Sequence, residues 1–147
     1  MMKPILIALA TSAVLLNGGC TTVASQEVRL PMSKMNHCAE AEGLTLRYGT
    51  LTIALGERPN TGYGLELVGQ SERDGEFDLI YRETRPQPGR NYAQVITQPC
   101  LQVILPKRWH KVTVKNQQTG DQTILTPVDD RGSRLNDIRQ ATEKTAQ

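Results

Sequence analysis

Aromatic residues are scarce, 4% of a 147-residue chain, with Phe77 and Trp109 standing beside four tyrosines. So thin a supply provides no stacking platform for single-stranded nucleic acid. Neither sign of charge dominates: 17 Lys and Arg face 15 Asp and Glu, interspersed along the chain, for a formal net charge of +2. This excludes the basic patch that duplex binding requires. Histidine is limited to His37 and His110 and cysteine to three positions, at no recognisable metal-ligand spacing. The chain also lacks a G-x-S-x-G elbow and an H-E-x-x-H helix, and neither histidine sits in a motif with a carboxylate. Asp129 and Asp130, adjacent near the C-terminal end, read as solvated loop charges, since neighbours in an extended chain point apart. The expectation is therefore a non-enzyme, with no catalytic residue, cofactor, metal or nucleic-acid partner.

Long apolar runs are missing too, except at the start. Lys3 is followed by a largely apolar stretch from Pro4 to Leu16, and then by Asn17-Gly18-Gly19-Cys20. As a helix that stretch spans only about 20 Å, against a hydrocarbon core of about 30 Å, so it is too short for a stable transmembrane anchor. A cationic start, a short apolar segment and small residues before a cysteine form a secretory signal with a lipobox-like end. Residues 1–19 are expected to be cleaved and Cys20 to carry the lipid. Several acyl chains on one cysteine, at roughly 0.8 kcal/mol per buried CH2, hold a protein on a membrane. Thr21 in place of Asp after the cysteine points to the outer membrane, with the protein facing the periplasm, by similarity to Gram-negative sorting.

Removing residues 1–19 leaves 128 residues, enough for one domain with an adequate core. With Cys20 lipidated, Cys38 and Cys100 remain. In an oxidising compartment an even pair reads as a disulfide, and the alternative is two buried thiols.

Residues 20–43 are polar and show no period, which reads as a lipidated N-terminus and flexible tether. From Leu44 to Val128 the pattern becomes β. Leu44, Leu46 and Tyr48 alternate, and Leu51, Ile53 and Leu55 resume out of phase after Gly49, which suggests a tight turn or a bulge. Tyr63, Leu65 and Leu67 form the next expected strand and Phe77, Leu79 and Tyr81 another, with the polar stretch Gly69 to Glu76 between them. Tyr92 to Leu105 alternates with a bend at Pro99, Val112 and Val114 follow, and Thr123 to Thr126 ends the series after a turn at 117–121. About seven short strands with regular turn signals predict an all-β antiparallel sandwich or partly open barrel over 44–128. Residues 129–147 read as a polar tail with a helix capped by Ser133.

Two loops stand out. Asn60-Thr61-Gly62-Tyr63-Gly64 places an aromatic between two glycines, which allow close backbone approach and a fixed pose; Tyr63 is then either a protein-binding anchor or a core residue. Thr84-Arg85-Pro86-Gln87-Pro88-Gly89-Arg90 is stiffened by proline and presents two arginines to an acidic partner or to solvent.

Gly56, Pro59, Asn60-Thr61-Gly62-Tyr63, Thr84-Arg85-Pro86, Pro88-Gly89, Gln94 to Pro99 and Pro106-Lys107, in that order, resemble the C-terminal domain of the PrcB family, lipoprotein-like subunits of surface protease complexes. The resemblance covers over a third of the chain. It implies an all-β accessory domain that binds and supports a protease or another envelope protein without catalysis. Asn60, Thr61, Gly62, Tyr63, Gly64, Arg85 and Pro86 are the binding residues it marks. The same Asn60 to Tyr63 and Arg85-Pro86 pieces also resemble the inhibitor loops of chagasin-type cysteine-protease inhibitors, although Gln87 stands where those have Trp. A structural envelope lipoprotein is the third reading.

Overall fold

The computed structural model describes residues 22–128 together with Asp130. The expected signal peptide, Cys20 and the tail helix at Ser133 lie outside the described residues. Within them the chain forms strands β1 (Gln26–Glu27), β2 (Met32–Met35), β3 (Gly43–Arg47), β4 (Thr50–Ala54), β5 (Gly64–Arg73), β6 (Glu76–Thr84), β7 (Cys100–Ile104), β8 (Lys111–Asn116) and β9 (Gln122–Leu125). They build a five-stranded sheet ordered β1-β5-β6-β8-β9 and a four-stranded sheet ordered β2-β7-β4-β3. The fold is thus all-β with two sheets and no barrel closure, a β-sandwich.

The alternation that marks the strands also builds the core. Leu46, Leu51, Ile53, Leu101 and Val103 from the smaller sheet meet Leu65, Phe77, Leu79, Val112, Val114 and Leu125 from the larger one, and Trp109 closes the cluster. Each such side chain contributes roughly 1.5–3 kcal/mol by leaving water. Surface ion pairs such as Glu66–Arg82 and Glu76–Lys111 are half exposed, and pairs of that kind typically add less than about 1 kcal/mol. Burial therefore specifies the fold.

The phase change at Gly49 is a two-residue hairpin turn. Tyr48 and Gly49 adopt φ of 50° and 72°, the left-handed pair that matches the twist of a hairpin. Tyr48 is 95% exposed, so it adopts a disfavoured conformation without compensating packing. Tyr48→Asn is expected to stabilise the protein by about 0.5–1 kcal/mol, raising the melting temperature by a few degrees. A lower melting temperature for the variant would show that the tyrosine ring makes a contact that the turn chemistry does not predict.

Four expectations are corrected. Residues 22–43 are not a free tether: β1 pairs with β5 (Gln26 opposite Glu72) and β2 with β7 (Met32 opposite Val103). Between the two strands the backbone amide of Val28 donates to the Gln70 carbonyl at 3.2 Å, and that of Leu30 to Gln70 Oε1 at 2.9 Å. This N-terminal segment thus crosses from one sheet edge to the other. It shows no alternation because backbone pairing holds it while most of its side chains stay exposed. Second, Gly69 to Arg73 continues β5, and the hairpin turn is only Asp74-Gly75, with φ of 52° and 79°. Ser71 there lies opposite Asp78 on the solvent face, and the extra residue between Leu67 and Gly69 breaks the pairing register. Third, β6 and β8 pair in parallel, whereas the other strand pairs among the described residues are antiparallel, because the chain crosses to the other sheet for β7 and returns in the direction of β6. Fourth, Asp130 is no solvated charge: its carboxylate accepts from the Gly49 amide at 2.9 and 3.0 Å and braces the turn. Asp129 lies outside the described residues.

Tyr81, half-buried at the rim of the core, has its hydroxyl pKa raised above the ordinary value, chiefly by burial and against a hydrogen bond from Asn116 Nδ2 at 3.4 Å. A raised folded-state value favours the neutral phenol in the native state. Its contribution is complete below the unfolded tyrosine value and is lost as pH rises through the folded one. An alkaline absorbance titration should show one tyrosine ionising above the ordinary tyrosine value, and Tyr81→Phe should remove that late step.

Candidate functional site

β4 ends at Ala54, β5 begins at Gly64, β6 ends at Thr84 and β7 begins at Cys100, so both candidate loops leave the same end of the sandwich. Inside the first loop the Asn60 Oδ1 atom accepts from the Gly62 amide at 2.9 Å, a local turn that asparagine favours. An added Cβ on Gly62 would sit 2.7 Å from Pro86 Cγ and 2.9 Å from its Cβ, so only glycine lets the backbone lie against that ring. This contact joins the Asn60 to Gly64 loop to Arg85-Pro86. Gly64 lies opposite Thr84 in the ladder below them, so the two loops share a base as well as a contact.

The remaining partner is the segment after the second loop. Tyr92 folds back, its hydroxyl accepting from the Gln87 amide at 3.0 Å. Ala93 and Thr61 are joined twice: the Thr61 amide donates to the Ala93 carbonyl at 3.1 Å, and the Ala93 amide to Thr61 Oγ1 at 3.0 Å. Arg58 and Thr97 exchange both backbone bonds at 2.8 Å, and the buried Thr97 hydroxyl donates to the Asn60 carbonyl at 3.1 Å. The alternation read over Tyr92 to Thr97 is therefore not a strand. Only isolated bridges form there, and regular pairing starts at Cys100. Thr97 and Ala93, which fix the first loop, were hidden in that apparent alternation.

Tyr63 is half-buried and outside the core cluster. It lines a cleft of about 200 Å³ with Thr61, Gly62, Thr84, Glu66, Lys34, Met35 and Cys100. That volume is below the roughly 300–1,000 Å³ of small-molecule sites, so the feature suits a protruding side chain of a partner better than an enclosed ligand. Arg82 holds the Glu66 carboxyl below its usual range through hydrogen bonds of 3.0 and 2.8 Å, so an ion pair stays on the cleft rim. Arg85 is exposed and Pro86 partly buried under the loop; among the described residues Arg85 forms no ion pair.

Cys100, which lines the cleft, is bridged to Cys38, and their Cα atoms lie 5.8 Å apart. Both cysteines are buried with Ala54, and Met35 packs on them. His37 lies beside Gln98 next to this bridge, whereas His110 donates its amide to the Gly75 carbonyl at the other end of the sandwich. Other hollows of about 320 and 400 Å³ follow the N-terminal segment around Val28 and Leu30, away from the loops.

Fold and loops together define a two-sheet β-sandwich domain that presents one stiff loop cluster at a disulfide-braced end. Residues 50–106, from the start of β4 to just past β7, match the sequence model of the family described as PrcB C-terminal, which supports the family resemblance read from the motifs. No curated protein and no solved structure matches the chain.

Proposed function

We propose that this protein is a lipid-anchored bacterial envelope protein whose sandwich is a non-catalytic binding module, an accessory or stabilising subunit of a protease complex. One observation carries the reading: Gly62 packs on Pro86 inside the family-matched segment, so Asn60 to Gly64 and Arg85-Pro86 form one surface. A binding module needs pre-ordered contacts, because ordering loops at the moment of association costs affinity. Here the loops are already tied by hydrogen bonds that the side chains of Asn60, Thr61 and Tyr92 accept and the Thr97 hydroxyl donates. Cys20 supplies the lipid, and the periplasmic face of the outer membrane supplies the partner.

Affinity capture of the full chain from native membranes at low detergent tests this proposal. A reproducible partner containing a protease subunit is expected, with recovery reduced about tenfold by Gly62→Ala, which forces Pro86 away. No reproducible partner counts against the module. Inhibition of a papain-type protease by the full chain would instead favour the chagasin-like reading.

A further inference from the structure

We propose that Gln94, Val95 and Ile96 form an apolar arch that seats Val95 and Ile96 in a hydrophobic notch rimmed by carboxylates on a partner protein, a proposal that rests on the binding reading above.

The arch follows from a mismatch in length. Its feet are the Ala93–Thr61 and Thr97–Arg58 pairs. Two residues, Pro59 and Asn60, span the feet on one side, and three, Gln94 to Ile96, span them on the other. The longer side bows outward, as in a bulge. Val95 is 52% exposed and Ile96 67%, although neighbours in a paired strand would point to opposite faces and one would be covered. Both are β-branched and restricted at χ1, so burying them against a partner costs little side-chain entropy. The feet are held by four backbone or hydroxyl hydrogen bonds and by the buried Thr97, so the arch is ordered before contact.

Charge selects the partner. From Arg85 to Pro99 the chain carries two arginines and no carboxylate, and among the described residues neither Arg85 nor Arg90 forms an ion pair. A planar guanidinium matches a carboxylate through two parallel hydrogen bonds. A membrane-seeking tip would instead carry aromatic residues at the headgroup level or lysines. Within that stretch the one aromatic, Tyr92, has its hydroxyl engaged by the Gln87 amide and lysine is absent, and the exposed Glu57 lies on the adjoining loop. The chemistry is that of a protein with an acidic rim around an apolar notch.

Site-directed photo-crosslinking in intact envelopes tests the arch, with the full chain carrying the photoreactive residue at Ile96, at Tyr63, or at Tyr48 on the opposite end as a control. The expected result is one protein adduct shared by Ile96 and Tyr63 and absent at Tyr48. The partner peptide caught at Ile96 should hold apolar residues flanked by Asp or Glu, and Arg85→Glu with Arg90→Glu should cut that adduct about tenfold. An adduct at Tyr63 with Ile96 silent overturns the arch and leaves the binding module standing. Silence at every loop position overturns both. A lipid adduct, a second copy of the chain, a partner peptide without carboxylates, or indifference to the charge reversal each overturns the acidic-notch assignment. Val95→Ser with Ile96→Ser should change the melting temperature little, since half or more of each residue is already in water, so a loss of adduct at Tyr63 in that variant reports binding and not folding.

Discussion

Replacing Cys38 and Cys100 together by alanine should lower the melting temperature of the protein by on the order of 10–15 °C. The bridge links residues 62 apart, and closing a loop of that length removes about 4 kcal/mol of chain entropy from the unfolded state. It also fastens the N-terminal segment to β7. Beyond Cys38 that segment is held by its bonds to Gln98 and Gln70, by Val28 and Leu30 packed on the core, and by two edge strands whose side chains bury little. Loss of the bridge should therefore free β1 and β2 before the sandwich itself opens. Hydrogen exchange would report this as early deprotection of Val28, Leu30 and Ile104, whose amides donate to or across the segment. Reductant should give the wild type the same profile. A double variant that melts within two or three degrees of wild type would refute the structural weight assigned to the bridge.

Tyr63→Ala should weaken partner binding roughly thirtyfold while shifting the melting temperature by only a few degrees. Truncation of an interface tyrosine often costs about 2 kcal/mol, and that energy corresponds to the thirtyfold factor. The contrast with a core position is quantitative, because removing a fully buried aromatic costs about 3–5 kcal/mol of stability. Tyr63 is half-buried in the wall of the cleft and takes no part in the core cluster, so the larger penalty does not apply. Binding by the purified variant, measured below its melting temperature, separates the two roles. Normal affinity with early melting would assign the ring to packing.

What the sequence made legible follows the physics of alternation. Leu51, Ile53, Leu101, Val103, Val112 and Val114 each announced a strand with one buried face, and each lies in the core. Asp-Gly at 74–75 is a recognised hairpin pair, yet it was submerged in a polar run, because the end of β5 turns Ser71 and Arg73 away from the core. The N-terminal strands were invisible for a different reason: Gln26, Glu27, Ser33 and Lys34 bond through the backbone and bury almost nothing. In Tyr92 to Thr97 the pattern misled in the opposite direction. Its alternation comes from Thr97 pointing into the loop cluster and Val95 standing in water, two unrelated environments that mimic a period of two. The loop residues were found because Gly62 and Pro86 are chemically unusual choices. Their contact with each other joins positions more than twenty residues apart, which no local pattern encodes.

The pairing of β2 with β7 fixes an order of events during synthesis. Met32 leaves the ribosome long before Val103, its opposite number, so the early segment spends that interval without the strand it completes. Pairings this distant in sequence also put assembly among the slower β topologies, on the order of milliseconds to seconds. Until β7 arrives, the thiol of Cys38 and the unsatisfied backbone of Met32 to Met35 are accessible to oxidants, chaperones and proteases. The N-terminal segment is thus the first part of the sandwich to emerge, yet it cannot close before β7 has arrived.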